Sequence, residues 1–277
     1  MKKIFATILT LAIAAGAAFA QDLAQATELY NNGAAALASG EKAEALDCFQ
    51  QAIGMAEALG ADGEAIIANC KNAIPKVNLS IAKDLVKAGN FDEAIAKCKE
   101  AAAQAEAFEE FEAADGLSAL IPTALQMKGN SLLGAKNYEA AAEVYQEWLS
   151  LDEANGTAAL RLGQALNALG KSDEAIAAFE KAAENGKQAD ASKQLSNIFV
   201  KSAASALKAK NYQGAFDAAV KSAEYAPSAN AFKVAGTAAM NLQKKDQAIE
   251  YLSKYLEASP AAADAAQIKA AIEALKK

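Results

Sequence analysis

The groups that could do chemistry in this chain are carboxylates, thiols and amines, because its 277 residues include no histidine. Without imidazole the chain cannot assemble a Ser-His-Asp or Cys-His nucleophile system. Glu109, Glu110 and Glu112 form a dense carboxylate group, but the surrounding Glu- and Ala-rich segment is typical of a solvated helix face. An acid–base pair needs a desolvated cleft to shift a pKa. We therefore predict that the protein is not an enzyme.

Three cysteines, Cys48, Cys70 and Cys98, are too few for a disulfide framework and lack the spacing of metal ligands. Cys48 and Cys70 are expected on neighbouring antiparallel helices. A disulfide between them is therefore an alternative to three small buried thiols. The chain also has one arginine, Arg161, and no glycine-rich phosphate fingerprint. We predict no metal and no cofactor.

The first twenty residues have the pattern of a secretory signal peptide. Lys2 and Lys3 precede an apolar stretch from residue 4 to 15, and residues 18–20 read Ala-Phe-Ala before Gln21. An uncleaved anchor is the alternative, although the apolar stretch is short for a bilayer. We predict export to the periplasm of a Gram-negative bacterium, or secretion. The remaining chain has 25 basic and 34 acidic residues, a charge that argues against nucleic acid or an anionic membrane as partner.

Small and large apolar residues recur along the rest of the chain at fixed offsets. Gly163, Ala175, Phe179 and Ala182 form one clear set, and the same offsets give the sets Gly33, Ala45, Phe49, Ala52 and Gly236, Ala248, Leu252. These positions lie on one stripe of a helix, and alanine, which is abundant throughout, has the highest helix propensity. A repeated unit of this kind predicts a stack of helical hairpins in which Gly163 faces Ala175.

The unit resembles the tetratricopeptide repeat, whose length of 34 residues separates Ala141 from Ala175. Pro227 and Pro260 also stand where that family places its proline. The resemblance implies an all-α, right-handed α-solenoid of about six hairpins. The predicted organisation is a signal peptide at 1–20 and a solenoid at 21–277, with repeats at about 26–59, 75–108, 122–155, 156–189, 196–228 and 229–262, and a capping helix at 263–277.

Three steps between repeats exceed the standard length. Two early steps are 49 and 47 residues, and Pro75 and Pro122 recur in phase with them. We interpret the excess as lengthened helices, with long loops as the alternative, and expect each proline to kink or interrupt its helix. The 40-residue step from Ala175 to Ala215 contains Asn185-Gly186-Lys187-Gln188, which predicts a longer loop.

In the family that the chain resembles, the first helix of each hairpin lines a concave groove that holds a peptide or a partner's helix. Carried over by repeat position, thirty residues face this groove and none is Asp or Glu. The polar and aromatic members proposed as the binding site are Tyr30, Lys76, Lys83, Lys87, Gln126, Asn130, Gln164, Asn167, Asn197, Lys208, Lys233 and Asn241. Other members of the predicted face are Val86, Leu160, Val200, Ala204 and Asn230.

The predicted function is a non-catalytic scaffold that binds a protein or peptide, with lysines pairing with carboxylates and amides bonding a peptide backbone. A small-ligand or glycan-binding protein using the same surface is the alternative. Sugar-binding sites typically contain exposed aromatic rings on which a sugar stacks, and Tyr30 is the single aromatic residue of the predicted face. A third possibility, an accessory subunit with a buried hydrolytic site, is disfavoured by the missing histidines.

Overall fold

A computed structural model describes the backbone of residues 2–277 and the side chains of residues 19–277. Thirteen α-helices account for nearly all of this described chain, which contains no strand. Their bounds are α1 Lys2–Ala38, α2 Lys42–Glu57, α3 Glu64–Ala88, α4 Phe91–Ala107, α5 Phe111–Gly134, α6 Tyr138–Leu151, α7 Gly156–Ala168, α8 Ser172–Ala182, α9 Gln188–Lys208, α10 Tyr212–Tyr225, α11 Ala229–Asn241, α12 Lys245–Ala258 and α13 Ala265–Lys276. The predicted all-α class is confirmed.

The helices form two compact units, Met1–Lys128 and Gly129–Lys277, and the division falls within α5. In the first unit α1 packs against α2, α2 against α3, and α3 against α4. In the second unit each helix from α6 to α12 packs against the helix that follows it, and α9 also contacts α11. This sequential packing of neighbours is what a chain of helical hairpins predicts.

In four hairpins a glycine lies in close contact with a large side chain of the second helix, a contact that the sequence analysis did not name. A Cβ atom added at Gly163 would lie 2.7 Å from two ring carbons of Phe179, so the glycine lies directly against this ring. The same contact joins Gly33 to Phe49, Gly129 to Tyr145 and Gly236 to Leu252. In all four pairs the partners are sixteen residues apart. A large buried side chain on the second helix therefore needs a glycine on the first.

The lengthened helices predicted for the early repeats are present. Helices α3 and α5 have 25 and 24 residues, and each continues through its internal proline, Pro75 or Pro122, without the predicted interruption. The break predicted at Asn185 is present but is shorter than a long loop. The backbone of Asn185 and Gly186 is non-helical, with Gly186 at φ 83°, and most of the additional residues lengthen α9.

Two further observations concern single residue types. All three cysteines are free thiols, with Cys70 and Cys98 buried and Cys48 half-buried. The sole tryptophan, Trp148, is buried in α6.

No helix in the described part of the chain is both long enough and apolar enough to cross a bilayer. The predicted cleavage site lies inside the span of α1, and residues 1–18 of the predicted signal peptide lie outside the described side chains.

Candidate functional site

The twelve residues predicted for the groove are all accessible to solvent. Seven are exposed and five are half-buried. The exposed residues are Lys76, Lys83, Lys87, Asn130, Asn197, Lys208 and Asn241, and the half-buried residues are Tyr30, Gln126, Gln164, Asn167 and Lys233. Two apolar members of the predicted face, Val86 and Leu160, are buried instead because they pack into the cores of their hairpins.

Several predicted groove side chains already bond to their own chain. Asn130 accepts a hydrogen bond from the Tyr145 hydroxyl at 3.0 Å, and Gln164 accepts one from Arg161 at 3.0 Å. Lys76 donates to Asn72, Asn241 donates to the Thr237 carbonyl, and the Tyr30 ring packs against Phe49. These contacts fix the side chains in place and use part of their bonding capacity, which makes them weaker candidates for a partner.

In the first unit the structure places three predicted lysines in one row on α3. Lys76, Lys83 and Lys87 are seven and four residues apart, a spacing that puts them on the same face of a helix. All three are exposed. The neighbouring carboxylate, Asp84, instead forms an ion pair with Lys42 of α2, and this hydrogen bond lowers the pKa of Asp84.

In the second unit the structure brings four predicted groove positions together around one pocket. This pocket has a volume of about 300 Å³, lies between α9 and α11, and is lined by Val200, Lys201, Ala204, Asn230, Lys233 and Val234. Val200, Ala204, Asn230 and Lys233 are the predicted members. The valine and alanine side chains make an apolar surface, and two lysines and an amide stand beside it. Such a site suits a carboxylate that is flanked by a small apolar group.

Lys201 was missed by the sequence reasoning, which assigned the groove position to Val200. A usable signal was present, because Lys201 lies seven residues before Lys208 and therefore on the same helical face. Lys201 also lines a neighbouring pocket of about 390 Å³ that includes Asn167 of α7 and Ser172 of α8. The accessible surface of the second unit thus runs from α7 past α9 to α11.

The second lysine of the pocket, Lys233, has a carboxylate partner from its own chain. Its Nζ atom lies 2.8 Å from Oδ2 of Asp264, and the Tyr255 hydroxyl donates to Oδ1 of the same carboxylate at 2.6 Å. The ammonium group also lies 5.5 Å from the centre of the Tyr255 ring. The hydrogen bond with Lys233 lowers the pKa of Asp264, with a second contribution from Tyr255. The same bond to Asp264 raises the pKa of Lys233.

Models of known protein families identify the repeat that forms these helices. One tetratricopeptide repeat model matches residues 79–149 and 126–190, and a second matches residues 234–262, which begin in the pocket wall and extend past Tyr255. The chain contains tetratricopeptide repeats. The matched repeats include helices of both units and contribute α7, α8 and part of α11 to the surface described above.

Solved structures of other proteins are similar to this chain at low identity. MamA is 20% identical, over 70% of this chain and 94% of that chain, with a TM-score of 0.38. YrrB, described as a TPR protein with an unusual peptide-binding site, is 21% identical, over 75% of this chain and 96% of that chain, with a TM-score of 0.39. No curated protein matches the chain.

Proposed function

We propose that this protein is a non-catalytic scaffold that holds an extended segment of a partner protein against α7, α9 and α11 of its second unit. The observation that carries the proposal is the pocket between α9 and α11. Four positions that repeat register alone assigned to a binding face, one of them Lys233, line this one concavity together with Lys201 and Val234. The six lining residues include no aromatic ring, which favours a peptide over a sugar.

The charge distribution favours an acidic partner segment at the second unit. Residues 21–128 contain 17 acidic and 8 basic residues, whereas residues 129–277 contain 17 of each. An acidic segment is therefore repelled by the net charge of −9 on the first unit but meets a neutral second unit. Lys201 and Lys233 would pair with its carboxylates, and Asn167 and Asn230 would bond its backbone. The lysine row on α3 would also attract acidic groups locally, although the first unit as a whole is acidic.

Site-specific crosslinking in cells tests the location of this surface. A photoreactive amino acid at Asn197 or Asn230 should crosslink a partner protein, and Lys201→Glu should remove most of that product. Gln247 on α12 is an exposed position for the matched photoreactive control. Lys245→Glu makes the same charge change at an exposed residue of α12 and should leave the product intact. Equal products from Asn230 and Gln247, or no effect of Lys201→Glu, would remove this surface from consideration.

We also propose that the protein is exported and that residues 1–20 are removed. Cleavage after Ala20 would leave α1 as an 18-residue helix, Gln21–Ala38, whose residues Ala26 and Ala36 are buried in the first unit. The mature protein would thus keep the part of α1 that packs against α2. N-terminal sequencing of protein from fractionated cells should find Gln21 first, in a periplasmic or secreted fraction. A cytoplasmic protein that retains Lys2 would contradict this.

A further inference from the structure

Asp264 forms an ion pair with Lys233, one of the two lysines that line the pocket between α9 and α11. It lies in the short connection between α12 and α13 and uses both oxygens, one for Lys233 of α11 and one for Tyr255 of α12. Lys233 also lines the pocket. An acidic partner that used Lys233 would therefore need the position that Asp264 already holds.

We infer that Asp264 is an internal competitor for this carboxylate site, and that an acidic side chain of the partner displaces it from Lys233. The inference rests on the proposed function and adds to it how binding is controlled. Lys201, the other pocket lysine, has no carboxylate within ion-pair distance among residues 19–277. The site thus contains Lys201, which has no carboxylate partner among these residues, and Lys233, which is paired with Asp264. Breaking the Lys233–Asp264 pair reduces the free energy gained when the partner binds.

The pair between Lys233 and Asp264 is open enough to be exchanged. The side chains of Lys233 and Asp264 are 44% and 26% exposed, so water and an incoming carboxylate both reach them. Ion pairs of this kind contribute little to folding stability. An exchange of one carboxylate for another at Lys233 leaves the ammonium group paired, while the partner gains the apolar contacts of Val200 and Val234. Asp264, once released, is solvated by water.

This competition predicts that weakening the internal contact strengthens binding. When a fraction of the molecules has its site occupied internally, the apparent dissociation constant rises in inverse proportion to the free fraction. Asp264→Asn removes the charge that holds Lys233. Tyr255→Phe removes the other hydrogen bond of Asp264 and leaves the net charge of the protein unchanged. Both variants should bind an acidic peptide about three- to tenfold more tightly.

A fluorescent octapeptide of alternating Glu and Ala provides the probe, and its Gln-for-Glu counterpart provides the uncharged control. Fluorescence anisotropy would give both dissociation constants for each variant of the full chain, with circular dichroism to verify the fold. Asp246→Asn is the matched charge control, because Asp246 is exposed in the first turn of α12, about 14 Å along the helix from Tyr255. It should change the affinity for the acidic probe much less than Asp264→Asn.

The outcomes separate the two proposals. Tighter binding of the acidic probe by both Asp264→Asn and Tyr255→Phe, without a change for the Gln probe, supports the competition. Unchanged or weaker binding by these variants, while Lys201→Glu still weakens binding, overturns the competition and leaves the proposed function standing. If no variant binds the acidic probe, or if Lys201→Glu has no effect, the proposed acidic partner and the competition both fail.

Discussion

At the scale of single residues, the hairpins depend on a glycine opposite a large buried side chain. Phe49, Tyr145, Phe179 and Leu252 are each almost fully buried, and each lies against the glycine sixteen residues earlier in the chain. Protein interiors are packed at the density of organic crystals, so a ring in this position has no free volume into which it can move. The glycine therefore determines how closely the two helices of a hairpin approach.

Gly163→Ala should destabilise the second unit, because the added methyl group would lie 2.7 Å from the Phe179 ring. Overpacking of this type costs about 1–3 kcal/mol in the free energy of unfolding. Gly54→Ala is the matched control, since a Cβ atom there meets nothing within 4 Å and the alanine should stabilise α2 by about 0.5–1 kcal/mol. Urea denaturation measures both.

Burial of Cys70 predicts a decline in stability at alkaline pH. Desolvation raises the pKa of this thiol to about 11, whereas an unfolded cysteine titrates near 8.5. The unfolded chain therefore loses its thiol proton first, so the contribution of Cys70 is complete below pH 8.5 and is lost as the pH rises toward 11. Urea unfolding between pH 8 and 11 should show a shallower decline for Cys70→Ala than for the natural protein. Parallel declines would contradict this assignment.

The repeated offsets were sufficient to predict which residues are small and buried, but they did not identify Phe179 as the side chain that lies nearest to Gly163. Ala175 and Phe179 both recur at fixed distances from the glycine, so spacing alone cannot decide which of them lies nearer to it. The choice depends on the direction in which side chains leave a helix, and the larger side chain reaches across. Lys201 was missed for a similar reason. Repeat numbering assigned this part of the binding face to Val200 alone, although neighbouring residues of a helix can lie on the same exposed face.

At the scale of elements, the feature that departs most from the regular repeat is the non-helical turn at Asn185 and Gly186, before α9. Helix α9 has 21 residues whereas α7 has 13, so it carries about two additional turns. The 40-residue step revealed the excess length, but whether additional residues form a loop or a helix depends on contacts with other elements. Here the turn packs back on α7, since a Cβ atom at Gly156 would lie 2.1 Å from the Asn185 carbonyl oxygen. The tertiary contact decides the conformation.

Two glycines at this turn should respond differently to alanine. Gly186 has φ 83° and open space around it, so Gly186→Ala should cost only the strain of a left-handed residue, about 1–2 kcal/mol. Gly156→Ala should cost more, because the methyl group would meet backbone rather than a side chain that can rotate away. Thermal unfolding monitored by circular dichroism would rank the two variants. A larger effect at Gly186 would mean that the turn is not held against α7.

At the scale of the whole molecule, the two units differ in charge rather than in construction. Both are stacks of hairpins, yet the net charge of the mature chain resides in residues 21–128. Several of these acids lie close together around the turn before α5, where Glu109 and Glu112 are exposed. Like charges at this density repel each other and destabilise the compact state, and salt screens the repulsion over about 10 Å at 0.1 M.

Salt should therefore stabilise the first unit more than the second. Native-state hydrogen exchange at 20 and 300 mM NaCl would compare the amides of α2–α4 with those of α10–α12, and protection should rise mainly in the first group. Screening also weakens the ion pairs Lys42–Asp84 and Lys128–Asp92, but exposed pairs contribute little, so the relief of repulsion should dominate. The double variant Glu109→Gln/Glu112→Gln should reproduce the effect at low salt and reduce the response to added salt. An equal response of both groups would show that charge density does not limit the stability of the first unit.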